Sequence, residues 1–294
     1  MRAVMIFALV MSAGGAAEPV QQPAAPVFLN INPSWSPDGR LLVFQGLRDG
    51  QADLFIINAD GTGERRLTSN AGHDTHPAWS PDGRTIVFDS NRGGEWGIYA
   101  IAPDGTGERR LADRGRHPSW SPDGTRIAFD SDRAGDDDVY VIYADGGGVT
   151  RLTSSAGSEN HATWTADGAR ILFGASRDGN VDVWIMDADG RHASRVTNHP
   201  AVDAGARESP EGGRIAFFSE RTGNADIYVM NADGSDVRNL TNDPGIAYEL
   251  AWSPDGTRIA YYTDVDGHFE LFVMDADGSN RRQLTKGPVR NGAD

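Results

Sequence analysis

The five-residue phrase Trp-Ser-Pro-Asp-Gly constrains this chain more than any other feature. It stands at residues 35–39, 79–83, 120–124 and 252–256. Trp164-Thr165-Ala166-Asp167-Gly168 is a weaker copy. The sixth, Ser209-Pro210-Glu211-Gly212 with an extra Gly213, carries Glu208 where the others have Trp. From Trp35 to Trp252 five periods span 217 residues, so the repeat is about 43 residues long. A repeat of this length is one supersecondary unit. It cannot bury its own faces and needs its neighbours to do so.

Each unit divides alike. In the third, His117 to Ser121 predicts a short strand, ended by the Pro-Asp-Gly turn. Arg126 to Asp130 predicts a second, Asp138 to Tyr143 a third, and Thr150 to Thr153 a fourth. Proline presets φ for the second turn position and glycine accepts the positive φ that follows. Asp-Gly pairs at 60–61, 104–105, 145–146, 189–190, 233–234 and 277–278 predict hairpins. Period-two apolar runs such as Asp226-Ile227-Tyr228-Val229-Met230 fill the spaces between turns. The expected fold is all-β: a six-bladed β-propeller of four-stranded antiparallel blades, with each Trp packed between blades.

The rest of the chain bounds function by exclusion. The formal charge of −15 opposes binding to a nucleic-acid backbone, which needs Lys and Arg to displace counterions. It suits basic partners or divalent cations. With no cysteine, disulfides, thiolate metal sites, cysteine nucleophiles and a lipid-anchored mature terminus are excluded. Met1-Arg2, the apolar run from Ala3 to Met11 and the small residues Gly15-Ala16-Ala17 predict a signal peptide over 1–17. Residues 18–31 read as a linker, 32–286 as the propeller and 287–294 as a tail; the ring is expected to close blade six against blade one, and whether Val27-Phe28-Leu29 adds a strand at that seam is left open. No other stretch is apolar enough to insert into a membrane.

Two series of residues recur once per repeat. Three residues before each Trp position stand Asn32, His76, His117, His161, Gly205 and Glu249. They begin the innermost strands, so they are expected to ring one mouth of the central channel. Asn32, His76, His117, His161 and Glu249 are the candidate ligand- or partner-binding residues. Three imidazoles from adjacent blades, with a Glu and an Asn opposite, also suit a divalent cation such as calcium or manganese, or an anionic ligand. The plainer account is that His simply suits a strand start and is copied with the repeat. The second series, Arg48, Arg92, Arg133, Arg177 and Arg221 with Val265 last, is followed five residues on by Asp53, Gly97, Asp138, Asp182, Asp226 and Glu270. It reads as structural pairing across the hairpin or to the next blade. The stretches at 132–138 and 264–270 are rich in Asp but lack the spacing of an EF-hand. No nucleophile elbow, phosphate loop, dinucleotide fingerprint or zinc-protease motif is present. No catalytic residue and no obligatory cofactor is therefore assigned.

The stretches "HPAWSPDGRTIVFDSNR" and "LAWSPDGTRIAYYTD" resemble the WD40-like repeats of the TolB propeller family, over residues from about 32 to 285. In that family an α/β domain precedes the propeller. This chain has only a linker there and reads as a stand-alone propeller. The resemblance implies an exported, non-enzymatic, monomeric interaction module, periplasmic or secreted. It would serve cell-envelope integrity by binding a peptidoglycan-associated lipoprotein. The alternative is an enzyme or small-ligand binder, similar to the oligogalacturonate lyases, which pair such a propeller with a metal held by histidines.

Overall fold

In a computed structural model the described residues are 28–177, 179–265 and 268–287. The expected signal peptide, most of the linker and residues 288–294 lie outside them. Among the described residues there is no helix, and so none long and apolar enough to cross a membrane. The chain forms six blades of four antiparallel strands, each built from its own repeat. In the first, Leu29–Trp35 is innermost, followed outward by Leu41–Arg48, Gln51–Asn58 and Arg65–Arg66.

The repeated phrase closes each inner hairpin through its side chains. Ser121 Oγ donates to Asp123 Oδ1 at 2.6 Å and accepts from Arg126 N at 2.9 Å. Asp123 Oδ1 also accepts from Thr125 N at 3.0 Å. The same knot recurs around Ser36, Ser80, Thr165 and Ser253. Gly124 sits at φ +69°, a conformation in which a Cβ is strained.

Six apolar clusters hold the blades together, one at each seam. Trp35 packs with Ala251, Ala260 and Leu271, joining the first blade to the last. Its indole donates to Ala251 O at 3.2 Å. Trp79, Trp120, Trp164 and Trp252 serve four other seams. The seam between the fourth and fifth blades lacks a Trp and relies on Leu172, Ile215 and Phe217. There Glu208 instead accepts Ala166 N at 2.8 Å from the neighbouring blade.

Of the seam segment 27–29, only part is described. Val27 lies outside the described residues, Phe28 is coil, and Leu29 is the first residue of the innermost strand. One parallel bridge, Leu29 to Phe269, crosses the seam, and the buried Asn30 donates to Glu270 Oε2 at 2.8 Å.

Candidate functional site

Every inner strand is broken at the same place. Its register against the second strand slips between the residue just before the ring position and the residue two beyond it. At the break the backbone is left-handed in all six blades: Asn32 at φ +56°, His76 +46°, His117 +50°, His161 +54°, Gly205 +63° and Glu249 +37°. Asn and His tolerate this region better than most residues, whereas Glu adopts it rarely. The bulge turns the side chain out of the strand's alternation and toward the axis. All six residues line one cavity of about 590 Å³, its open mouth included.

The three imidazoles converge. The ring centroids of His76 and His117 are 4.1 Å apart at 70°, and those of His117 and His161 are 4.0 Å apart at 26°. Across the gap left by Gly205, His161 Nε2 lies 3.3 Å from Glu249 Oε1. Asn32 belongs to the same wall but turns to Gln45, donating to its Oε1 at 2.9 Å.

Beneath the ring is a second row that the sequence reading missed. Thirteen residues after each ring position stand Gln45, Asp89, Asp130, Gly174, Phe218 and Tyr262. His76 Nδ1 lies 3.1 Å from Asp89 Oδ1, and His117 Nδ1 lies 2.6 Å from Asp130 Oδ2. The backbone N–H of His161 also donates to Asp130 Oδ2, at 3.0 Å. Polar residues stand in that column on the first three blades, but the blade of His161 has Gly174 there, so the column alone did not mark the row.

The charges follow from these contacts. Burial, and then the neighbouring His161 and His76, hold the His117 imidazole well below its ordinary value, so it is neutral at pH 7. Burial works in the same direction on His76, but the Asp89 carboxylate outweighs it and raises that imidazole. Burial pushes the Asp130 carboxyl up to about 7 against the pull of His161. Glu249 is held below its usual range, because His161 and Arg207 outweigh its burial.

Arg207 also lines the cavity, two residues past Gly205. At the equivalent positions the other blades carry Ser34, Ala78, Ser119, Thr163 and Ala251. The fifth blade's divergence thus places one guanidinium in a wall of small side chains. Its Nη2 lies 3.9 Å from Glu249 Oε2, and its buried Nε has no hydrogen-bond partner.

For a metal ion, distance and direction disagree. Ligand atoms of His117, Asp130 and His161 all lie within 4.8 Å of one another. An ion sits in the plane of each imidazole it binds, about 2.0–2.1 Å from nitrogen for zinc. The His117 and His161 rings are stacked, so their lone pairs run side by side and do not meet. As arranged, the set does not fit an ion shared by both rings.

The arginine series is structural, but its pairing differs from the expected one. Arg92 and Arg221 reach back to the inner strand, to Asp74 at 2.7 Å and Asp203 at 3.0 Å; Arg177 likewise pairs with Glu159. The acids five residues on pair with outermost-strand arginines: Asp53 with Arg66, Asp138 with Arg151 at 2.7 Å, and Asp182 with Arg195. The geometry is antiparallel: a residue two positions before the ring faces the end of the second strand. Asp132 and Asp138 of the Asp-rich loop are paired with Arg114 and Arg151, and form no ion cradle among the described residues.

A family model described as the TolB beta propeller domain matches residues 18–117, 113–207 and 195–293. A Tol-Pal system protein TolB from Syntrophus aciditrophicus is 44% identical over 41 residues, which cover 14% of this chain and 9% of that protein. The match therefore spans only a small part of that relative. Among solved structures, a provisional TolB from Agrobacterium tumefaciens superposes with a TM-score of 0.70 at 23% identity, covering 84% of this chain and 90% of that one. An oligogalacturonate lyase in complex with manganese superposes with a TM-score of 0.63 at 16% identity, covering 88% and 78%. At these identities the structural likenesses speak to the fold alone.

Proposed function

The chain belongs to the TolB β-propeller family, and on that premise we propose that it is an exported interaction module that binds a protein partner at the channel mouth, in a Tol-Pal-like envelope assembly. The observation that carries this is the ring itself. Five side chains other than glycine are held in left-handed backbone at one level of six independent strands, all facing one cavity. Backbone strain of this kind costs roughly 1–3 kcal/mol per residue and persists where the surroundings impose it, most often at functional sites. The turns on the opposite face are uniform knots of Ser, Asp and Gly with little chemistry to offer a ligand.

The partner class follows from the family: a peptidoglycan-associated lipoprotein. The test is calorimetry of the mature chain against the lipoprotein from the same cell. His117→Asn with His161→Asn keeps residues suited to left-handed backbone, so loss of binding reports the imidazoles. Saturable binding lost in this double variant supports the reading. Absence of lipoprotein binding together with tight binding of oligogalacturonate contradicts it.

A second reading, the manganese-dependent lyase, draws on the convergence of the three rings. The stacking of His117 on His161 disfavours it.

A further inference from the structure

The mouth has two chemically different halves. On the first three blades the second row is Gln45, Asp89 and Asp130; on the fifth and sixth it is Phe218 and Tyr262. Tyr248, just before Glu249, and Phe269, on the last blade's third strand, complete an aromatic cluster. Ring centroids are 4.9 Å apart for Phe218 and Tyr248, 6.1 Å for Tyr248 and Tyr262, and 5.4 Å for Tyr262 and Phe269. All four are only partly buried, unlike Phe44, Phe88, Phe129, Phe173 and Phe217, which are sealed between blades. The cluster adjoins the cavity wall at Gly205, where an added Cβ would lie 2.9 Å from Phe218 Cδ1 and 3.6 Å from Glu249 Oε1.

We propose that these four rings form a socket for an apolar side chain, aromatic or long aliphatic, of a partner polypeptide, with a lysine or arginine beside it. The proposal rests on the protein-partner reading above and deepens it. The rings favour a side chain over a sugar. Phe218 meets Tyr248 at 75° and Tyr262 meets Phe269 at 86°, so edges alternate with faces. A pyranose needs one flat platform, whereas a corrugated socket grips a side chain between a face and an edge. Charge selects the neighbour. Glu249 flanks the socket on the channel side, and the exposed Glu220 flanks it outside, accepting from Tyr248 Oη at 3.3 Å. Glu249 is already paired with His161 and Arg207, so the exposed Glu220, on a chain of net charge −15, is the carboxylate that favours a cation in the partner. Aromatic residues partly buried beside a polar rim are the usual anchors of such interfaces.

The test titrates the mature chain with three blocked tripeptides, Lys-Trp-Lys, Glu-Trp-Glu and Lys-Ala-Lys, and with trigalacturonate. The amide shifts of Gly205 and Glu249 are followed by NMR. Lys-Trp-Lys is expected to bind at least about tenfold more tightly than either other peptide. Tyr248→Ser is expected to weaken it about tenfold with an unchanged melting temperature. Phe218→Leu serves as a second variant if Tyr248→Ser fails to fold. Equal affinities for the three peptides, no saturation at millimolar peptide, or preferential binding of trigalacturonate overturns the proposal. The two readings fail separately. Lipoprotein binding that survives Tyr248→Ser sinks the socket and leaves the partner. Peptide binding without lipoprotein binding does the reverse.

Discussion

Phe218 occupies the space that Gly205 leaves empty. A Cβ on Gly205 would meet the Phe218 ring at 2.9 Å, in backbone at φ +63°. The one ring position without a side chain is therefore filled from the strand behind it. Gly205→Ala is expected to destabilise the protein by about 2–4 kcal/mol, combining left-handed strain with overpacking. In a Phe218→Ala background only the backbone part remains, about 1–2 kcal/mol. Urea denaturation of the four proteins in this cycle measures the coupling.

The imidazoles of His76 and His117 should titrate far apart. His76 is raised by Asp89 against its burial, and His117 is lowered by burial and its two neighbours. At pH 6.5 His76 should be mostly protonated and His117 neutral. For His117 the sign is clear. Below about pH 6.5 the unfolded chain takes up a proton that the folded site refuses, so this group lowers stability as pH falls. His76 acts oppositely: its stabilisation is present below the same pH and lost as pH rises through its folded value. NMR titration of the ring Cε1–H signals separates the two, and coincident titration contradicts the geometry.

Ser121 is the hub of its turn, donating to Asp123 and accepting from Arg126 N while itself buried. Ser121→Ala should cost about 1–2 kcal/mol by leaving a part-buried N–H without its partner. Ser36→Ala, Ser80→Ala and Ser253→Ala should cost the same within about 0.5 kcal/mol, because the knot is the same. Chemical denaturation of the four variants checks the equivalence.

Manganese or zinc at millimolar concentration should leave the melting temperature unchanged, because stacked rings do not share an ion. A rise that His161→Asn abolishes contradicts this and revives the lyase reading.

The blade architecture was legible because each local signal points to it: turn residues, period-two strands and a Trp once per repeat. The ring was legible too, since one column holds Asn32, His76, His117, His161 and Glu249. What the sequence concealed was three-dimensional proximity. Nothing local shows that His117 would lie on Asp130, thirteen residues on, or that Arg92 would turn inward to Asp74. Phe218, Tyr248, Tyr262 and Phe269 each look like ordinary strand residues. Only the bulge and the missing side chain at Gly205 bring them to the mouth.

The most direct test is the affinity of the mature chain for the peptidoglycan-associated lipoprotein, compared with that of the His117→Asn, His161→Asn double variant. The account predicts a fall of at least about tenfold with the melting temperature preserved. Equal affinity in the two proteins would contradict it, since the ring of left-handed residues would then be scaffold alone.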